Sequence, residues 1–338
     1  MTGAMYAAVS GLKSHMNALN VIGNNIANVN TDAYKASRYT FLESLYTTVS
    51  SGSNGTSQAG GKNPAQTGYG STIGTIDMDM STKNYSPTGC DTDCMIDGDG
   101  FFLVGDKGTS VTTNDELKSL DLTRLGNFSF DNSGYLVDGQ GKVVYGFLQA
   151  ADSGGSTTSV SPSLTAIRLP MASDGKSGTA AGTPVFPTAS DTGEVVDAST
   201  GVNGRIMQDS LGIDEKSGQI TCTTTDGKTV VVGYIAIGKV DNPAGVTHVD
   251  GHYYQALEGA GSVHLTSIGG AVAGTDKSPI AIISSGNTKL ITGGLESSGT
   301  DLATEITNMI TIQRGYQANT RIVTVTDSML EELVNMKR

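Results

Sequence analysis

An apolar residue returns every third or fourth position at both ends of this chain. In residues 2–29 the series is Met5, Val9, Leu12, Met16, Leu19 and Ile26, with Gly23 standing where a further member would fall, and no proline interrupts it. Alternating steps of four and three lay a seam along one side of a helix. At 1.5 Å per residue that helix spans about 40 Å. At the other end Leu302, Met309, Tyr316, Val323 and Leu330 recur every seven residues, and Ile306, Ile312, Leu333 and Val334 widen the stripe. Ser298 or Thr300 can cap its start. Asp301 and Glu305 in the first turn, with Lys337 and Arg338 at the end, suit the helix dipole. A helix over 301–336 is about 54 Å long.

Such stripes need cover. Gly3, Gly11, Gly23, Asn17, Asn20, Asn24, Asn25 and Asn28 make the first segment a poor helix alone, each costing several tenths to about 1 kcal/mol against alanine. Burying Leu12, Leu19 or Ile26 contributes roughly 1.5–3 kcal/mol each. Helicity therefore depends on the stripe being covered. Packing onto a body of the same chain is the ordinary solution. Two long stripes at the two termini point instead to a coiled coil completed among neighbouring chains.

Between the ends the pattern changes to period two and turns. Residues 71–80 alternate through Ile73, Ile76, Met78 and Met80, and Gly100–Val104 is a compact apolar run. Asn127–Phe130 and Tyr135–Val137 flank Asp131-Asn132-Ser133-Gly134, a hairpin signal. Lys142–Leu148, Val230–Val240 and Ile280–Ile283 read as further strands, while 50–71 reads as a flexible Gly/Ser/Asn stretch. Glycine is 45 of 338 residues and tryptophan is absent, which suits short strands and turns around modest cores. The expected fold is α+β. Long N- and C-terminal helices form a coiled coil, with an all-β, sandwich- or barrel-like body between them and a small β-rich insertion. The domains are 1–30 with 296–338 as a discontinuous core, 31–71 as an extended connector, 72–150 with 206–295 as the body, and 151–205 as a polar insertion.

The net charge of −12 opposes binding to nucleic acid phosphates or an anionic membrane. Apolar stretches such as Val230–Ile237 fall far short of the ~20 residues a membrane span needs. No cationic n-region with an apolar core stands at the start, so export is expected to use a route that reads no cleaved signal. Chemistry has little to work with. Cys90, Cys94 and Cys222 are an odd set; Cys90 and Cys94 could pair locally or ligate a metal, but the further His and Cys that a metal needs are not nearby, and the two read as loop thiols. His248 and His252 imitate a helical metal pair, but Gly251 lies between them. Asp91, Asp93, Asp97 and Asp99 lack calcium-loop spacing and read as turn residues. No catalytic, metal-binding or cofactor-binding residue is expected.

The polar residues Asn24, Asn25, Asn28 and Asn30 admit two readings. They end the helix near residue 28 and shape the turn to Tyr34, or they form buried amide networks that fix subunit register. Gln313, Arg314 and Asn319 pose the same choice on the second helix.

These residues also carry a resemblance. Ser10-Gly11-Leu12, Leu19, Asn24-Asn25-Ile26-Ala27-Asn28-Val29-Asn30-Thr31 and Tyr34-Lys35 resemble the N-terminal signature of bacterial flagellar rod and hook axial proteins. Gly98-Asp99-Gly100-Phe101-Phe102-Leu103-Val104, the Thr123–Phe128 segment and Gly134–Val137 resemble their strand and hairpin. Gly294–Ser298, Asp301-Leu302, Gln313-Arg314-Gly315-Tyr316-Gln317-Ala318-Asn319, Asp327, Met329-Leu330 and Glu332–Arg338 follow in the same order. The ending is similar to the hook branch of that family, whereas rod subunits usually end differently and are shorter. The resemblance implies a structural subunit, not an enzyme, that polymerises into a curved helical tube. That tube acts as a universal joint passing torque from rod to filament, with a distal-rod or hook-associated role as the alternative. It implies paired terminal helices on the inner wall and a β body on the outer wall; the chain departs from the family pattern at Asp32-Ala33, where a small residue and glycine are common. The implied partners are many copies of the same chain, the flagellar rod, hook cap and hook–filament junction proteins, and the type III export apparatus. The implied location is the extracellular flagellum at the basal body and hook.

Overall fold

The computed structural model describes residues 2–55, 60–107, 111, 114–131, 134–150, 159–160, 164–169, 171–173, 184–185, 202–205, 207–215, 218–223, 229–266 and 288–336. The chain divides into two compact units, Met1–Asp79 with Ser298–Arg338, and Met80–Ser297. Its helices are α1 (Thr2–Ala27), the single turn α2 (Asn114–Leu117) and α3 (Leu302–Asn335). With a strand-rich second unit this makes the fold α+β.

In the first unit α3 starts one residue later than expected. Its cap is Asp301, which accepts from the Thr304 hydroxyl at 2.6 Å and the Ala303 N–H at 3.1 Å. Those two bonds hold the Asp301 carboxyl below its usual range. The Ser298 hydroxyl, expected as a cap, instead donates to the Asn28 carbonyl at 2.9 Å. Lys337 and Arg338 lie outside the described residues.

Four strands follow α1: β1 (Ser37–Glu43), β2 (Tyr46–Ser50), β3 (Ala65–Gly68) and β4 (Ser71–Met78). β1 and β4 pair antiparallel from Ser37 opposite Met78 to Glu43 opposite Ser71. β2 and β3 continue the ribbon from Tyr46 opposite Gly68 to Ser50 opposite Ala65, with a last bridge between Ser53 and Lys62. The segment 31–71, expected as an extended connector, thus holds paired strands. Tyr46-Thr47-Thr48-Val49 is aromatic and β-branched and favours a pleated ladder. The glycines and serines of 50–71 fall mostly toward the tip of that ribbon.

The second unit begins with β5 (Tyr85–Pro87), β6 (Cys94–Asp97), β7 (Phe101–Gly105), β8 (Asp121–Thr123), β9 (Ser129–Phe130), β10 (Leu136–Val137) and β11 (Val143–Ala150). β7 lies between β8 and β11, and strand Ile237–Val240 also pairs with it. The expected hairpin is present, with Leu136 opposite Phe130. β11 meets strand Thr229–Ile235, which meets Gln219–Thr223. Phe102, Val104, Phe128, Leu136, Val144, Ile167, Val232, Ile235 and Ile237 fill the core. The expected strand Ile280–Ile283 and most of 151–205 lie outside the described residues. Of the latter, Met171–Ser173 pairs with Pro184–Val185 and Val202–Arg205.

Cys94 is buried in this core rather than set in a loop, Cys222 is buried with it, Cys90 is exposed, and all three are free. Burial pushes the Cys222 thiol up to about 11 and that of Cys94 higher still, so neither is a reactive thiolate. The turn after β8 fits against β6 only as glycine. A Cβ on Gly126 would stand 1.8 Å from the Cys94 carbonyl oxygen, and the Cys94 N–H donates to the Gly126 carbonyl at 3.0 Å. Arg124, from the same turn, is buried over the Phe101 ring and reaches the Ile96 carbonyl at 3.4 Å. Burial lowers its basicity while Glu296 and Asp99 sustain it. His248 lies in a strand and His252 in the turn beyond it. Among the described residues no group of three or more His, Cys, Asp or Glu is placed to hold a metal, and no helix is long and apolar enough to cross a membrane.

Candidate assembly interface

α1 and α3 pack against each other in opposite directions. Asn25 meets Glu305, His15 meets Gly315 and Gly11 meets Asn319, so numbers rise along one helix as they fall along the other. In that register the segment from Met329 to Asn335 runs past the start of α1. Near the middle the backbones come close because glycine faces a side chain from each side. A Cβ on Gly11 would lie 2.7 Å from Asn319 Nδ2, and one on Gly315 would lie 2.9 Å from the His15 ring. Toward the Asn25 end Ile22 and Ile312 are buried together with Ala18, flanked by Leu19, Ile26, Met309 and Tyr39. Burial of the two isoleucines contributes roughly 1.5–3 kcal/mol each.

The inward face of α1 is Ala8, Gly11, Ser14, Ala18, Ile22 and Asn25. It lies beside the seam read from the large residues. Ser14 is accommodated because its hydroxyl donates to the Ser71 carbonyl at 2.8 Å. Of the seam residues, Met5, Leu12, Leu19, Ile26, Met309, Val323 and Leu330 are half-buried, while Val9, Met16, Leu302, Tyr316 and Leu333 are exposed. Tyr6, Ile310, Ile322, Val325, Met329 and Met336 are exposed with them. The smallest side chains set the approach within the chain, and the largest remain outside it. Along α3 the hydroxyls of Thr307, Thr311, Thr320, Thr326 and Ser328 each donate to the carbonyl four residues earlier, at 2.7–3.0 Å.

The asparagine signature closes the end of the pair. Asn25 is buried and uses its whole amide. Its NH2 donates to the Ser37 carbonyl at 2.8 Å and Glu305 Oε1 at 3.0 Å, while its oxygen accepts from the Tyr34 hydroxyl at 3.1 Å and the Ser37 N–H at 3.0 Å. Asn24 Nδ2 donates to the Tyr34 hydroxyl at 3.1 Å, and Asn28 turns back onto the Asn24 carbonyl at 3.0 Å. Thr31 donates to Asn28 Oδ1 at 3.1 Å. Burial raises the Tyr34 hydroxyl above its usual range, with the Glu305 charge acting in the same direction and the Asn28 hydrogen bond against it. The Gly299 N–H donates to the Tyr34 carbonyl at 2.8 Å, tying the start of α3 to this turn. Ala33 is buried and holds φ +57°, a left-handed value. Asn30, Gln313 and Arg314 are exposed, and Asn319 is half-buried against Gly11.

Sequence reasoning missed Glu305 as an interhelical acceptor, His15, and the small-residue face. The signal for that face was present as Ala8, Gly11, Ser14 and Ala18 at steps of three and four.

Two stretches match described families. Residues 5–35 match "Flagella basal body rod protein", and residues 291–336 match "Flagellar basal body rod FlgEFG protein C-terminal". The chain is 32% identical over 338 residues to the flagellar basal-body rod protein FlgG of Bacillus subtilis, covering the whole of both. It is 35% identical over 138 residues to the flagellar hook protein FlgE of Borreliella burgdorferi, covering 41% of this chain and 29% of that one.

Proposed function

We propose that this chain, which belongs to the bacterial flagellar rod and hook family of axial proteins, is a subunit of the distal rod. It is a structural component of the flagellar axis. The observation that carries the rod reading is the alignment with a rod protein from end to end over 338 residues. The paired ribbon β1–β4 and β2–β3 supports the same reading, because a bending joint calls for loose linkers where this chain has a hydrogen-bonded ladder. In this proposal the terminal helices, residues 1–30 and 296–338, form the assembly core. Copies cover the apolar ridge of Val9, Met16, Leu302, Tyr316 and Leu333, and the head-to-tail contact stays open, giving a tube rather than a ring. Its neighbours would be further copies, rod and hook subunits, and the junction and cap proteins, after delivery by the type III apparatus without signal cleavage.

The hook reading has its own support. Identity to the hook protein is 35% over the 138 residues that align, against 32% over 338 residues for the rod protein. One experiment separates the two. Basal bodies from a strain lacking this chain are imaged by electron microscopy. Loss of a rod subunit leaves a truncated rod and no hook. A complete rod ending in a missing hook would transfer the assignment to the hook.

A further inference from the structure

His15 occupies the closest point between α1 and α3. Its ring lies where a Cβ on Gly315 would come within 2.9 Å of Cε1 and Nε2. On its other side it meets the edge of Phe41 of β1, with ring centroids 5.5 Å apart, and Phe41 in turn meets Tyr39 at 5.5 Å. Nδ1 is buried and makes no hydrogen bond. The surrounding elements carry charges, but these are engaged or turned elsewhere. α1 has the exposed Lys13. β1 and β4 contribute Arg38 paired with Asp77 at 3.7 Å, and Glu43 accepts from Tyr46. α3 has the exposed Arg314, and its Glu305 bonds to Asn25. Burial alone acts on the imidazole, and it lowers the pKa from 6.5.

We infer that His15 is a pH-sensitive latch on the α1–α3 pair, which closes on the neutral ring and is loosened when the ring is protonated. A neutral imidazole can leave one nitrogen bare inside an apolar contact, because that nitrogen is only an acceptor. The imidazolium has an N–H at both nitrogens. It therefore places a donor without an acceptor, and a full charge without a carboxylate, between Gly315 and Phe41. Separating the helices returns both to water. The sign follows from linkage. The closed pair binds the proton less readily than the open chain, so the stabilisation is complete above pH 6.5 and is lost as pH falls below it, through the lowered value of the closed pair. Within that window the equilibrium constant for closing falls with pH, by at most about tenfold per pH unit. The latch operates whichever axial segment the chain builds.

The test uses the full chain and its far-UV helical signal, which α1 and α3 dominate among the described residues. Thermal melts of that signal are recorded from pH 8 to pH 5 for the wild type, His15→Phe and His15→Gln. The wild type is expected to lose melting temperature below pH 6.5 relative to both variants, which cannot titrate at this position. Parallel profiles for all three would overturn the latch. If either variant fails to form the helices, NMR titration of the wild-type imidazole decides. A His15 midpoint below 6.5 in the folded chain supports the latch, and one at or above 6.5 refutes it.

Discussion

Asn25 donates its side-chain amide to Glu305 at 3.0 Å, joining the last turn of α1 to the first turn of α3 across 280 positions of sequence. The other three bonds of that amide reach Tyr34 and Ser37, so one buried residue ties together both helices and the turn between α1 and β1. Asn25→Ala leaves the Ser37 N–H, the Tyr34 hydroxyl and Glu305 short of a partner. A loss of roughly 1–3 kcal/mol is expected, read as a lower urea midpoint of the helical signal with an unchanged slope. An unchanged midpoint would mean that water replaces the amide without cost.

The two interhelical glycines should respond differently to alanine. Each replacement gains about 1 kcal/mol of helix propensity. At Gly11 the new Cβ meets the mobile end of Asn319, which can turn away, so Gly11→Ala is expected to be near neutral. At Gly315 it meets the His15 ring, already held against Phe41. Overpacking of about 1–3 kcal/mol then outweighs the propensity gain, and Gly315→Ala should lower the melting temperature. Equal effects at the two sites would show that the close approach is not rigid.

Ala33 sits at φ +57°, where an L-residue is strained by about 1–2 kcal/mol. Ala33→Gly removes that strain but gives the unfolded chain more freedom, worth about 0.4–1 kcal/mol. A net gain of roughly 0.5–1 kcal/mol remains, measurable by chemical denaturation. Ala33→Val should move the midpoint the other way.

Met16 is 50% exposed and Leu333 is 44% exposed. Changing either to aspartate should alter the stability of the isolated chain by no more than about 0.5 kcal/mol. The same substitutions place a charge on the ridge proposed to lie between copies. Concentrated wild-type protein is expected to form tubes in negative stain and the variants are not. Tubes of normal yield from Met16→Asp would remove this ridge from the assembly contact.

The helices could be read from the sequence almost to the residue, because apolar periodicity and the run without proline survive any detail of packing. The face that each helix turns inward could not. A seam drawn through Met16, Leu302 and Tyr316 follows hydrophobicity, whereas the backbones approach where side chains are least, at Gly11, Ala18 and Gly315. Gly11 looked like a weakness in α1, and it proves to be the point at which α3 fits. The ribbon was hidden by composition. The glycines and serines of 50–71 outweighed the short β-favouring run at Tyr46–Val49, which has little burial to reveal it. Asn25 was visible as part of a signature, but its acceptor Glu305 lies far along the chain, and no local pattern joins them.

The threonines and serine of α3 that bond to their own preceding turn have a consequence for neighbours. Each hydroxyl has already committed its proton, so it offers whatever lies against it only an accepting oxygen. A flanking molecule can shift along such a helix without breaking one specific bond before finding the next. At those positions contact is governed by shape and apolar cover rather than by a donated bond.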